Sequence, residues 1–158
     1  MQWYESDPKL LEAEKYAMNK FFPNFNLGKL EDGRLYWVGE LTPGIYESKF
    51  GTPKTYTVIA VYNNNHPEYA MGASVRIYPV LPDIGEIFQE IGFKFNVLMD
   101  SSNMEYLCSI EGDKKSTGIL TASYYLACAM KLFCGVDLLL TGDLTEEELK
   151  DNYWFYGR

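Results

Sequence analysis

The sequence predicts an α+β domain: an N-terminal helix, an antiparallel strand meander, an extended segment carrying a cysteine, and C-terminal helices. Three observations carry this. Apolar residues recur at spacings of three and four after Asp7-Pro8, three β-rich runs bounded by turn residues fill the middle, and Leu120 to Phe133 is almost wholly apolar at helical length. At 158 residues the chain suits a single domain, 1–158, able to bury a core without disulfides or metals.

Asp7 is placed as an N-cap, and Pro8 takes the first helical position, where its missing N–H costs nothing. Leu10, Ala13, Ala17 and Phe21, widened by Leu11, Met18 and Phe22, form an apolar face. Pro23 cannot continue it, so a helix over 8–22 is expected. Strands follow at Leu35–Leu41, at Thr55–Tyr62 with Thr55, Thr57, Ile59 and Val61 alternating, and at Ala73–Val80 with Val75 and Ile77 alternating. Gly44, Gly51 and Pro53 break the first connection and Asn63-Asn64-Asn65-His66-Pro67 the second, as an antiparallel meander requires.

Asp83 and Glu86 have capping-box spacing, and Ile84, Ile87, Phe88 and Ile91 fit one helix face that Gly92 would end. Phe93, Phe95 and Val97 then alternate as a strand, Asp100-Ser101-Ser102-Asn103 turns the chain, and Met104 to Ile110 returns with Cys108. The apolar run predicts a buried helix over about 119–134 with Gly135 as its C-cap. Thr145 and Glu148 form a second capping box, opening a last short helix whose Glu146-Glu147-Glu148 is a favourable acidic first turn.

Cys108 is the thiol best placed to react: it ends an extended apolar stretch just before Glu111-Gly112-Asp113-Lys114-Lys115, whereas Cys128 and Cys134 lie in the apolar helical run. The plain alternative is a small buried hydrophobe. Lys114 and Lys115 would lower the thiol's pKa if their loop folds back, and otherwise form a solvated turn. A cysteine hydrolase needs a base, and the one histidine, His66, sits in a turn-like run; no glycine-flanked protease signature surrounds Cys108. Thioester exchange has no obligatory histidine. It needs a reachable thiol and donors for an oxyanion, from backbone N–H groups or from the side chain of Asn96 or Asn103. Each asparagine also has an ordinary reading, Asn103 as a turn residue and Asn96 as an outward-pointing strand residue.

Three cysteines without a CxxC pair, and a single histidine, give no zinc site and no disulfide framework, which suits reduced thiols in a cytoplasmic protein. Neither GxxxxGK[ST] nor GxGxxG occurs, so no nucleotide site or cofactor is expected. A net charge of −8 opposes binding to nucleic-acid phosphates, and a protein or small molecule is the better partner. The N-terminus does not resemble a signal peptide, and no run approaching roughly 20 apolar residues predicts a membrane span. Tyr153-Trp154-Phe155-Tyr156 would either pack on the core or form a docking patch.

Three stretches carry a family resemblance: Tyr36–Leu41 with Thr57 to His66-Pro67, Tyr106-Leu107-Cys108-Ser109, and Leu138-Leu139-Leu140-Thr141-Gly142-Asp143-Leu144. In their order the chain resembles the ubiquitin-conjugating (UBC) fold in its bacterial members, particularly short proteins associated with CBASS anti-phage operons. The family has a first helix, a four-stranded meander, an active-site cysteine segment and a following helix. The resemblance implies that Cys108 takes the activated C-terminal carboxylate of a partner as a thioester and passes it to an acceptor. It further implies that the partner is a cGAS-like nucleotidyltransferase and that the setting is antiviral defence, and it leaves open whether a separate activating enzyme takes part. The chain departs from the eukaryotic pattern in lacking His-Pro-Asn shortly before the cysteine. His66-Pro67-Glu68 lies far upstream, Phe95-Asn96-Val97 occupies the general region, and the helix near Asp83–Ile91 is an insertion. A catalytically inactive UBC-like binding module and a hydrolase using Cys108 and His66 are the alternatives.

Overall fold

In the computed structural model, residues 1–68, 73–108 and 121–152 are described. The Asp7 carboxylate accepts the Leu10 N–H at 3.1 Å and opens α2 (Pro8–Phe21), which follows a short helix, α1 (Trp3–Ser6). The buried face of α2 is rotated from the expected one. Glu14 and Met18 are buried, while Ala13 is exposed and Phe21 is 61% exposed. Patterning by hydrophobicity sets every carboxylate outside, but a buried carboxylate is tolerated where hydrogen bonds replace water, as they do at Glu14.

The sheet has four antiparallel strands in the order β1 (Asn26–Lys29), β2 (Leu35–Leu41), β3 (Tyr56–Tyr62), β4 (Val75–Leu81). The α+β class with a four-stranded antiparallel meander is thus observed. Asn-Leu-Gly-Lys has little strand propensity, and β1 forms because Leu35–Val38 of β2 offers it an edge. At Gly28 the Tyr36 ring lies directly against the backbone, where a Cβ would meet it unless the ring moved. A short helix, α3 (Ile45–Phe50), fills the β2–β3 connection between Gly44 and Gly51, both left-handed at φ 80° and 75°.

Both faces of β3 are rich in β-formers, so alternation alone does not reveal the inner one. Tyr56, Val58, Ala60 and Tyr62 face the core, and Thr57, Ile59 and Val61 form the opposite set. The two tyrosines can be buried because each hydroxyl donates to a buried carboxylate, Tyr56 to Asp137 at 2.6 Å and Tyr62 to Glu14 at 2.7 Å.

After β4, α4 (Ile84–Ile91) carries the full expected capping box between Asp83 and Glu86 and ends at Gly92, φ 84°. The next strand is shorter than expected: β5 (Val97–Met99) starts four residues after Phe93, because Phe95 turns into the core against Phe88 at 4.8 Å. It pairs with β6 (Glu105–Leu107) as a separate two-stranded sheet around the expected Asp100–Asn103 turn.

The long helix α5 runs Ala122–Thr141, so Gly135 is a buried interior residue and Gly142, φ 81°, is the C-cap. An interior glycine costs about 1 kcal/mol. Burying Leu132, Phe133 and Val136 around it, at about 1.5–3 kcal/mol each, outweighs that cost. Continuing past Gly135 makes α5 long and apolar enough to cross a membrane by length and composition, contrary to the expectation from the sequence; half of that stretch is buried inside the fold. The final helix, α6 (Glu146–Asn152), has the expected box: Thr145 Oγ1 accepts the Glu148 N–H at 3.2 Å, and Glu148 Oε1 accepts the Thr145 N–H at 3.1 Å. Its Leu149 is fully buried. Ser109 and Ile110 of the return strand, the Glu111–Lys115 loop, the first residues of the 119–134 helix and the Tyr153–Tyr156 cluster lie outside the described residues.

Candidate functional site

Cys108 immediately follows β6, and Asn96 immediately precedes β5. The hairpin pairs Val97 with Leu107, Leu98 with Tyr106 and Met99 with Glu105. Pairing stops at Val97–Leu107, and Asn96 and Cys108 are the next residues at the open end of the hairpin; Asn96 is exposed, while Cys108 is half-buried against the core. Asn103 belongs to the closed end. It is left-handed at φ 64°, its N–H donates to the Asp100 carbonyl at 3.1 Å, and five residues of extended chain, roughly 15 Å, separate it from Cys108. The fold therefore brings Asn96 to the thiol's end of the hairpin and holds Asn103 at the other.

The hairpin is anchored on β4. Tyr106 is buried, 5.7 Å from the Tyr78 ring, with the Arg76 guanidinium 4.8 Å from its own ring centre; Leu107 is buried beside it. At the turn, Asp100 Oδ1 accepts the Ser102 and Met104 N–H groups at 2.8 and 2.9 Å, and Oδ2 accepts the Tyr78 hydroxyl at 2.9 Å. Desolvation opposes the Asp100 charge, but the Met104 N–H, the Tyr78 hydroxyl and the Ser102 N–H outweigh it and hold the carboxyl below its ordinary value. Burial first, then the Asp100 carboxylate, pushes the Tyr78 hydroxyl up to about 12.

All three cysteines are half-buried, and none is in a disulfide. Exposure does not single out Cys108, against the contrast drawn from hydropathy, because α5 leaves part of its surface open along the side bearing Cys128 and Cys134. The distinction that remains is backbone. Cys108 ends a strand and packs against the core edge, while the other two are interior helical residues. Burial, then the Asp137 charge, pushes the Cys134 thiol up and disfavours its thiolate.

His66 is only 3% exposed and both ring nitrogens are engaged, Nδ1 with Ser74 Oγ at 3.2 Å and Nε2 with Glu14 Oε2 at 3.3 Å. Glu14 Oε1 accepts the Tyr62 hydroxyl and, at 2.9 Å, the Ala122 N–H at the start of α5. Trp37 Nε1 donates to the Tyr62 oxygen at 2.8 Å, the Ser74 N–H donates to the Tyr125 hydroxyl at 3.2 Å, and the Trp3 ring lies 4.6 Å from His66. Burial, then Glu14, raises the Tyr62 hydroxyl well above its ordinary value. The order serine, histidine, carboxylate imitates a catalytic triad, but Ser74 and Glu14 have no exposed surface for a substrate to reach. The group joins α1, α2, β3, the start of β4 and α5. Glu14 escaped the sequence reading, although its position four residues before Met18 on an apolar face was the available signal.

The Leu138–Leu144 element is a helix stop. The Gly142 and Asp143 N–H groups return to the Leu138 carbonyl, the Thr141 hydroxyl donates to Asp143 Oδ2 at 2.7 Å, and Lys49 of α3 lies 3.5 Å from the same oxygen. The Thr141 hydroxyl, then Lys49, keeps the Asp143 carboxyl below its ordinary value. Among the described residues, no group of three or more His, Cys, Asp and Glu side chains is placed to hold a metal ion. No protein-family model, curated protein or solved structure matches the chain. The architecture on its own terms is an α+β fold in which a four-stranded antiparallel sheet and its helices carry a short hairpin ending at Cys108.

Proposed function

We propose that the protein is an acyl carrier resembling ubiquitin-conjugating enzymes, with Cys108 as its nucleophile. The observation that supports this reading most is that Asn96 and Cys108 both adjoin Val97–Leu107, the last pair at the open end of the β5–β6 hairpin. The Cys108 thiolate attacks the activated carbonyl carbon at a partner's C-terminus, a C–S bond forms, and the activating group leaves with its electron pair. An acceptor amine then attacks the thioester, loses its proton, and expels the thiolate. In each step the carbonyl oxygen becomes negative, and the Asn96 amide N–H is the side-chain donor offered to it. The partner is a cGAS-like nucleotidyltransferase, loaded through an activating enzyme, in a cytoplasmic antiviral system of the UBC-like, CBASS-associated kind.

His66 weighs against the hydrolase alternative, since both its nitrogens are engaged inside the core. The half-burial of Cys108 favours a second reading, a UBC-like module that binds its partner without chemistry.

Incubating wild type, Cys108→Ser and Cys108→Ala with the nucleotidyltransferase and activating enzyme, followed by mass spectrometry, separates these readings. The carrier gives a thiol-labile adduct on wild type, a thiol-resistant oxyester on Cys108→Ser and none on Cys108→Ala. Absence of any adduct favours the binding module, and an adduct on Cys128 or Cys134 removes Cys108 from the site.

A further inference from the structure

We infer that the outer face of the sheet carries a docking cleft for a protein segment with an apolar anchor flanked by basic residues. Away from Cys108, at the closed end of the hairpin, a cleft of about 440 Å³ opens over Ile59 and Val61, the outward set of β3. Val80 of β4, 44% exposed, and Met104 of the hairpin, 59% exposed, wall it together with Leu30. Leu81 and Met99, on the same two elements, are also exposed. Such side chains left in water are a feature of recognition surfaces, and methionine adapts its shape to an incoming apolar group.

The charges around the cleft choose the occupant. Asp83 and Asp100 line it, and its one cationic lining residue, Arg34, is already paired with Asp32 at 2.8 Å. The Arg76 guanidinium also acts on Asp100, but the three carboxylates of Asp32, Asp83 and Asp100 outnumber the two guanidiniums, so the surround of the cleft is net negative by one charge. An apolar side chain entering the cleft passes carboxylates, so lysine or arginine beside that anchor is attracted and glutamate is repelled. The whole chain, at −8, adds attraction of the same sign. Because the cleft and Cys108 occupy opposite ends of the hairpin, this binding is non-covalent and independent of the thiol.

The test is a titration of the isotope-labelled full chain carrying Cys108→Ala, followed by NMR, with an acetylated Lys-Lys-Leu-Phe-Lys-Lys peptide and its Glu-flanked counterpart. Amide shifts should concentrate at Ile59, Val61, Val80 and Met104, with the Glu-flanked peptide at least about tenfold weaker. Asp83→Asn keeps an N-cap for α4 while removing one charge, and should weaken the basic peptide about threefold. Val80→Lys and Met104→Lys, both at exposed positions, should abolish the shifts while leaving the spectrum folded. Salt near 1 M, where the Debye length is about 3 Å, should erase the preference between the peptides. The inference is overturned if the cleft amides do not move, if both peptides bind equally, or if the cleft amides shift with protein concentration alone, which would assign the surface to a second copy. None of these results bears on acyl transfer, because Cys108 is absent throughout.

Discussion

Glu14 and His66 meet at 3.3 Å with neither side chain exposed to water, and this contact joins α2 to the turn that follows β3. A buried carboxylate is tolerated only while its partners replace water. Glu14→Ala removes the acceptor of the Tyr62 hydroxyl and the Ala122 N–H together with the partner of His66. It should cost about 3–5 kcal/mol, a large part of the roughly 5–15 kcal/mol that holds a domain folded. Urea unfolding monitored by tryptophan fluorescence checks this, and a loss below about 1 kcal/mol, the size of an ordinary surface change, would show that the network is not needed.

Tyr56 and Asp137 form a second buried pair at 2.6 Å, and the Tyr46 N–H supports the same carboxylate at 3.1 Å. Tyr56→Phe keeps the stacking of the ring on Phe133 and deletes only the donor. The expected loss is about 1–3 kcal/mol, the cost of an under-satisfied buried acceptor. Thermal and urea denaturation should agree on it.

Asn96 is exposed, so Asn96→Ala should leave the melting temperature unchanged. If the amide supports the oxyanion, discharge of a loaded Cys108 should slow by about 10²–10³-fold. Asn103→Ala should leave that rate unaltered and act only on the turn, where a left-handed residue is required. Single-turnover discharge followed on a gel distinguishes the two asparagines.

The Asp100–Tyr78 bond predicts a pH dependence with a definite sign. The Asp100 carboxyl is lowered in the folded state, so its contribution is present above the unfolded value near 3.9 and disappears as pH falls through the folded one. The Tyr78 hydroxyl is raised, so its contribution is complete below about 10, the unfolded value, and is lost as pH rises through about 12. The stability difference between wild type and Tyr78→Phe should hold steady from mildly acidic to mildly alkaline pH and shrink at both extremes. Denaturation of the two proteins across pH measures it.

Signals that act within a few residues were legible before the structure. Asp7 with Pro8, Asp83 with Glu86 and Thr145 with Glu148 each satisfy helix N–H groups nearby in the chain, and each helix start lies where those residues put it. The β-rich runs of β2, β3 and β4 were equally plain, as was the Asp100–Asn103 turn. Gly135 misled because a glycine after an apolar run ordinarily stops a helix, whereas here burial of Val136 on the far side continues it.

What the amino-acid sequence alone determined was the α+β order of the main elements, the starts of α2, α4 and α6, and the place of Cys108 at the end of an extended segment, because caps, turns and periodicities are local. Tertiary structure decided which face of β3 is inner, that Glu14 and His66 share the core, that β1 pairs, and that Asn96 rather than Asn103 lies at the Cys108 end of the hairpin. Each of these depends on a partner distant in the chain: a carboxylate for a buried hydroxyl, an edge for a weak strand, a register for a hairpin. Free energies of that kind exist only once the two segments have met.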